Sequence, residues 1–196
     1  MKQMLTMKAE FYQFLKAYQD IPADDLEQIT QYAKERIVEA GEILLNQNSV
    51  ARELFFVADG ILKIVTTNDK GKDIVQFFVK ENRFCTILYS FNNGAPSTES
   101  IVAAVNTKLL CFSKADLQKL YSKIPYLQNL IERITQQALL DKIKIRNSYM
   151  GEEASTRYLK FVALQPDIMQ RVSLGDVASY LGITPQSLSR IRKNII

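Results

Sequence analysis

Gln186, Ser189, Arg190 and Lys193 recur at three- and four-residue intervals, which with Pro185 places them on one face of a helix. Those residue types can read base edges in duplex DNA. A Gln side chain pairs bidentately with adenine, and an Arg side chain with the O6/N7 edge of guanine. Thr184 and Ser187 stand at the start of the same helix, where hydroxyls and free N–H groups hold phosphates. The chemistry on offer is recognition rather than bond making. An ordinary helical hairpin with a solvated basic face is the alternative.

The elements that must position this face lie between Ser173 and Lys193. The segment predicts two short helices joined by a tight turn. Ala178 is small where two helices cross closely, and Gly182, four residues on, supplies the positive φ of such a turn. Leu188 follows six residues later, and Val177, Leu188 and Ile191 point inward to join the pair. Thr184 is an N-cap, and Pro185 suits the first helical position, where its missing N–H costs nothing. Ser173 with Asp176 caps the first helix.

Charge is distributed to match. Residues 142–196 hold nine Lys and Arg against four Asp and Glu, whereas residues 1–141 hold 16 against 17. The basic excess of the 196-residue chain therefore sits at the end that carries the helix pair. The composition, 47% hydrophobic and 23% charged, is that of a globular protein. With no His, no glycine-rich phosphate loop, no cysteine metal motif and no paired carboxylates, the chain is read as no enzyme. Catalytic residues, metal ligands and cofactors are accordingly expected to be absent. The charged N-terminus lacks a signal-peptide core, and no run is apolar enough to span a membrane. Cys85 and Cys111 read as reduced, buried thiols of a cytoplasmic protein.

Three regions precede the helix pair. Helices are predicted over Lys8–Tyr18 and Ala23–Arg36. From Gly41 to Ser113 short strands are expected near Ile43–Leu45, Leu54–Val57, Ile61–Thr67, Ile74–Val79, Ile101–Ala104 and Lys108–Phe112. Turns at Asp59-Gly60, Asn68–Gly71 and Asn92–Pro96 separate them. A short helix over Lys114–Tyr121 leads to a long one from Pro125 to Met150. In that helix Leu127, Ile131, Ile134 and Ala138 recur at intervals of four, three and four, widened by Leu130, Leu140, Ile143 and Ile145. So long and apolar a helix either packs in its own chain or pairs with a second copy, and the symmetric habit of DNA-reading helix pairs favours the dimer. Gly151 breaks it, Ala154–Leu164 forms another helix, and Gln165-Pro166-Asp167 turns toward the terminal pair.

This order of elements resembles the Crp/Fnr family of bacterial transcription regulators, over essentially the whole chain. Gly41-Glu42, the Leu54–Val57 strand with Gly60 and Lys63, and the Ala115–Tyr121 segment are similar to the family's sensory roll. LGITPQSLSRIRK is similar to its recognition helix, with Arg190 at the base-reading arginine position. The resemblance implies an α+β fold. Residues 1–123 would form N-terminal helices and a double-stranded β-helix (jelly-roll) sensory domain of the cyclic nucleotide-binding type. Residues 124–150 would form the dimerisation helix and 151–196 a small helix-turn-helix domain. It further implies a homodimer on a palindromic operator, controlled by a small-molecule effector and in contact with RNA polymerase. A sensor or interaction module of the same fold that docks on protein rather than DNA is the rival reading.

Three departures from the family bear on that expectation. Cyclic-nucleotide members wrap the phosphate with a Gly-Glu and Arg-Ser/Thr cassette, but Phe84–Ala104 here contains no Arg or Lys. Around Thr98, Glu99 and Ser100 the sole charge is Glu99, which repels an anion, so cyclic AMP is not the expected effector. The candidate effector pocket is Phe84, Tyr89, Thr98, Glu99 and Ser100, although most of the cluster Phe77, Phe78, Phe84, Tyr89 and Phe91 is expected to fill the core of the roll. No Cys precedes Cys85 to hold an iron–sulfur cluster as in Fnr-type regulators, and no His is available for haem. At the DNA end Gln186 stands where relatives often carry Glu, which shifts the preference from cytosine to adenine. The chain given stops at Ile196, so no β-hairpin wing is expected after the recognition helix.

Overall fold

The central strands carry nearly uninterrupted apolar runs because both of their faces are covered. The computed structural model describes residues 2–68 and 71–195. Helices α1 (Lys2–Lys16) and α2 (Ala23–Gln31) come first, then strands β1 (Lys34–Val38), β2 (Ile43–Leu45), β3 (Glu53–Asp59), β4 (Leu62–Thr67), β5 (Asp73–Val79) and β6 (Arg83–Cys85). A short helix, α3 (Leu88–Asn93), precedes β7 (Ser100–Ala103) and β8 (Thr107–Ser113). The remainder is helical: α4 (Lys114–Lys123), α5 (Pro125–Asn147), α6 (Ala154–Leu164), α7 (Pro166–Arg171), α8 (Leu174–Tyr180) and α9 (Pro185–Ile195).

The strands form two four-stranded antiparallel sheets, β1-β8-β3-β6 and β2-β7-β4-β5, in a jelly-roll-like sandwich. Alternation along each strand sorts the side chains between layers. Phe55 and Val57 of β3 and Leu109 and Cys111 of β8 meet Leu62, Ile64, Ile101 and Ala103 between the sheets. Leu54, Phe56, Leu110 and Phe112, the intervening residues, face outward into a core with α1, α2, α4 and the first half of α5. The outer face of the second sheet offers Val65, Val75, Phe78 and Val102 to Phe161, Ile168, Val177 and Leu181 of the C-terminal helices. The order of layers is helices, sheet, sheet, helices.

Gly60 closes the β3–β4 turn at φ 108°. A Cβ there would fall 2.6 Å from Thr107 Cα, so glycine is needed both for the backbone and for the close approach of β8.

Cys85 and Cys111 are buried free thiols that flank Phe55 on opposite sides of β3. Two strand spacings, about 10 Å, separate them, too far for a disulfide. Burial pushes the Cys85 thiol up to about 11 and the Cys111 thiol up to about 12. At pH 8 both are expected to react with iodoacetamide at least ~100-fold more slowly in the folded chain than in the denatured one. Mass spectrometry of timed quenches checks this.

Several expectations change. The helix predicted over Ala23–Arg36 ends at Gln31, because Lys34–Val38 pairs with β8 as strand β1. Its Lys34, Glu35 and Arg36 hid the strand pattern. The Gln165–Asp167 turn opens the short helix α7, with Pro166 in its first turn. The long helix stops at Asn147 rather than Met150. Of the expected Asn68–Gly71 turn, Asp69 and Lys70 lie outside the described residues.

The residues expected on the dimer face, Leu127, Ile131, Ile134 and Ala138, all take positions inside their own chain. Leu127, Ile131 and Ile134 are buried in their own chain against α1, α4 and the roll, and Ala138 lines a cavity beside the roll. The large apolar residues α5 exposes are instead Leu139, Leu140 and Ile143, at 41%, 52% and 42%. Among the described residues no helix is long and apolar enough to cross a membrane.

Candidate functional site

The α8–α9 pair is assembled by caps and by one small residue. Ser173 Oγ accepts from the Asp176 N–H at 3.0 Å, and Thr184 Oγ1 from the Ser187 N–H at 3.1 Å. Ala178 is fully buried at the helix crossing, as are Val177 and Leu188, while Ile191 is half-buried beside them. Gly182 turns the chain at φ 66°, and the Ile183 N–H donates to Ala178 O at 2.9 Å.

The opposite face of α9 is open. Pro185, Gln186, Ser189, Arg190 and Lys193 are exposed. Among the described residues the side chains of Gln186, Ser189, Arg190 and Lys193 have no hydrogen bond or ion pair. Thr184 and Ser187 are joined through their hydroxyls at 2.9 Å at the helix start. The structure therefore brings all seven expected residues onto one end and one face of one helix. Arg192, by contrast, is half-buried, with its Nε buried. Such a face presents two cations and an amide, free to meet an anionic, hydrogen-bonding partner.

Helix α8, with α7 before it, is seated on the roll. Lys63 Nζ meets Asp176 Oδ1 at 2.5 Å, Lys80 meets Asp167 at 2.6 Å, and Arg171 meets Glu81 at 2.6 Å. The Val75 N–H donates to Ser179 Oγ at 3.0 Å. Partly exposed pairs of this kind contribute little singly. The apolar patch of Val65, Val75 and Phe78 beneath them carries the attachment, and the polar ring fixes its register.

A second site lies between the roll and α5. A cavity of about 170 Å³ is lined by Leu54, Ile64, Phe77, Phe84, Ile87, Tyr89 and Glu99 of the roll and by Thr135, Ala138, Leu139 and Lys142 of α5. Of the expected pocket residues, Phe84, Tyr89 and Glu99 reach it. Thr98 and Ser100 do not: Thr98 is exposed, and Ser100 Oγ accepts from the Gln47 N–H at 2.8 Å. The aromatic cluster is likewise split. Phe77 faces this cavity, whereas Phe78, next along the strand, points into the core beneath α8.

The cation missing from Phe84–Ala104 comes from α5. Burial holds the Lys142 amine below the ordinary lysine range, and burial holds the Glu99 carboxyl above the usual carboxylate range, although each charge favours the other. Lys142 Nζ lies 5.6 Å from the centroid of Phe77, with Arg146 5.7 Å from the same ring. Lys142 sits four residues after Ala138, on the strip that the periodicity assigned to a dimer partner, and that spacing was the available signal.

Residues 35–123 match the family described as the cyclic nucleotide-binding domain. No curated protein matches the chain in sequence. Among solved structures, the c-di-GMP-responsive global regulator CLP of Xanthomonas campestris is similar at a TM-score of 0.69 and 16% identity, over 89% of this chain and 91% of that one. A mutant of CooA from Carboxydothermus hydrogenoformans gives 0.61 and 17%, over 85% and 77%. The catabolite activator protein of Thermus thermophilus gives 0.54 and 16%, over 91% and 85%. At such identities the likeness establishes a shared architecture.

Proposed function

From a roll that matches the cyclic nucleotide-binding domain, in an architecture shared with Crp/Fnr-type regulators, we propose a DNA-binding transcriptional regulator. It acts as a homodimer on a two-fold symmetric operator under an effector held by the roll. The observation that carries this reading is the open face of α9. Gln186, Ser189, Arg190 and Lys193 are exposed and unpartnered among the described residues, on a helix whose other side is packed down through Leu188. Arg190 would take a guanine and Gln186 an adenine, with Thr184, Ser187 and Lys193 on phosphates.

Dimerisation is assigned to the exposed stripe of Leu139, Leu140 and Ile143 on α5. Leu139 also lines the roll cavity, so an occupant there touches the residue that borders the stripe. A second route runs along β5, where Phe77 walls the cavity and Phe78 packs on Phe161 and Tyr180 of the DNA-reading end. An effector can thereby bias both the spacing and the seating of the two recognition helices.

Selection of bound duplexes from a random pool tests the proposal. A symmetric site with half-sites about 10 base pairs apart, or a multiple of that, is expected, with affinity falling steeply as salt rises. Recovery of no enriched sequence would remove the DNA-reading assignment.

A further inference from the structure

Two ionisable side chains in the roll cavity are satisfied by nothing in the chain. Among the described residues the Lys142 ammonium has no hydrogen bond or ion pair, and neither has the Glu99 carboxyl on the facing wall. They lie too far apart to pair with each other, since no contact within 4.0 Å joins them. Both side chains are half-buried, and an ammonium beside an apolar lining gains from an anionic partner that also fills the lining. The rest of the wall is largely aromatic and aliphatic, with Ile64, Phe77, Phe84 and Ile87 around the two charges.

Size and charge together narrow the occupant. About 170 Å³ is close to the roughly 150 Å³ that accepts one benzene ring, and it falls below the ~300 Å³ at which pockets for larger ligands begin. Arg83 acts electrostatically on Lys142, and Arg146 lies over the same Phe77 ring, so the local field at the α5 wall is positive. Glu99 opposes it from the other wall and would repel a second anionic group.

We infer that this cavity, on the reading of the roll as an effector site, takes a small monocarboxylic acid with a single-ring apolar body. Its carboxylate pairs with Lys142, its ring lies among Phe77, Phe84 and Ile87, and Glu99 accepts from a donor group at the far end. A cyclic phosphate would meet Glu99 where it needs a second cation.

Isothermal titration of the full chain, without DNA, tests this with phenylacetate and its uncharged counterpart 2-phenylethanol as probes. Phenylacetate is expected to bind saturably at one site per chain and more tightly than 2-phenylethanol. Lys142→Met keeps the length of the side chain and removes the charge. It should weaken phenylacetate at least about tenfold and leave 2-phenylethanol within about twofold of its wild-type affinity. Lys142→Arg should retain most of the acid binding. Absence of phenylacetate binding, equal affinity of Lys142→Met for it, or tighter binding of cyclic AMP than of the acid would each overturn the inference. Because no DNA is present, failure here leaves the operator-selection result standing, and failure of that selection leaves this one standing.

Discussion

A chain carrying Leu140→Glu with Ile143→Glu is expected to sediment as a monomer and to bind its selected DNA site at least ~100-fold more weakly than wild type. Both side chains project from α5 at about half exposure, in line with Leu139, after the helix has left the core formed by its first half. Four carboxylates brought together across a two-fold axis would repel, and the apolar contact would be lost. Each half-site would then be bound independently, without the gain from joining two readers. Since neither residue is buried within its own chain, the denaturation midpoint of the monomer should hardly move. Ile131→Glu is the contrasting variant. The bare periodicity of the helix would select it as an interface change, yet Ile131 is buried among α1 and α4 partners. It is expected to unfold the chain rather than to dissociate it.

The second large effect concerns the scaffold. Phe56→Ala is expected to cost about 3–5 kcal/mol, a large share of the stability of a domain this size. Phe56 is fully buried, with ring centroids of Phe11 at 4.8 Å, Phe14 at 5.0 Å and Phe84 at 5.7 Å. Edge and tilted contacts of this kind add to the area term. Phe11 and Phe14 both lie on α1, so the vacancy would loosen the helix that covers the first sheet. Urea titration followed by circular dichroism reads the shift. Tyr18→Ala, at the exposed edge of the same cluster, should cost well under half as much.

The α8–α9 end was the most legible part of the sequence because its signals are local. Caps, a turn glycine and a helical repeat lie within 21 residues, and Ser173, Thr184, Gly182 and Leu188 all take the places those signals predict. Six of the strands between Ile43 and Phe112 were legible for a similar reason, being apolar runs between turn residues. What eluded sequence reasoning depends on partners distant in the chain. Lys34–Val38 is a strand only because β8 lies beside it. Arg83–Cys85 pairs with β3, and Leu88–Asn93 forms a helix where the composition suggested only loop. The division of α5 into a buried first half and an exposed stripe follows from where the roll ends, which periodicity does not encode. Lys142 illustrates the cost. Scanning Phe84–Ala104 for a cation found none, and the cation stands on α5, 38 residues beyond Ala104.

The most direct measurement compares wild type with Arg190→Ala on the selected operator, base by base. The account predicts that the substitution lowers affinity by about 1–3 kcal/mol per half-site and abolishes the preference for one guanine in each half-site. The preference at other positions and the folded state should be unchanged, because Arg190 is exposed and unpartnered among the described residues. An Arg190→Ala chain that kept both its affinity and its guanine preference would contradict the reading of α9 as a recognition helix.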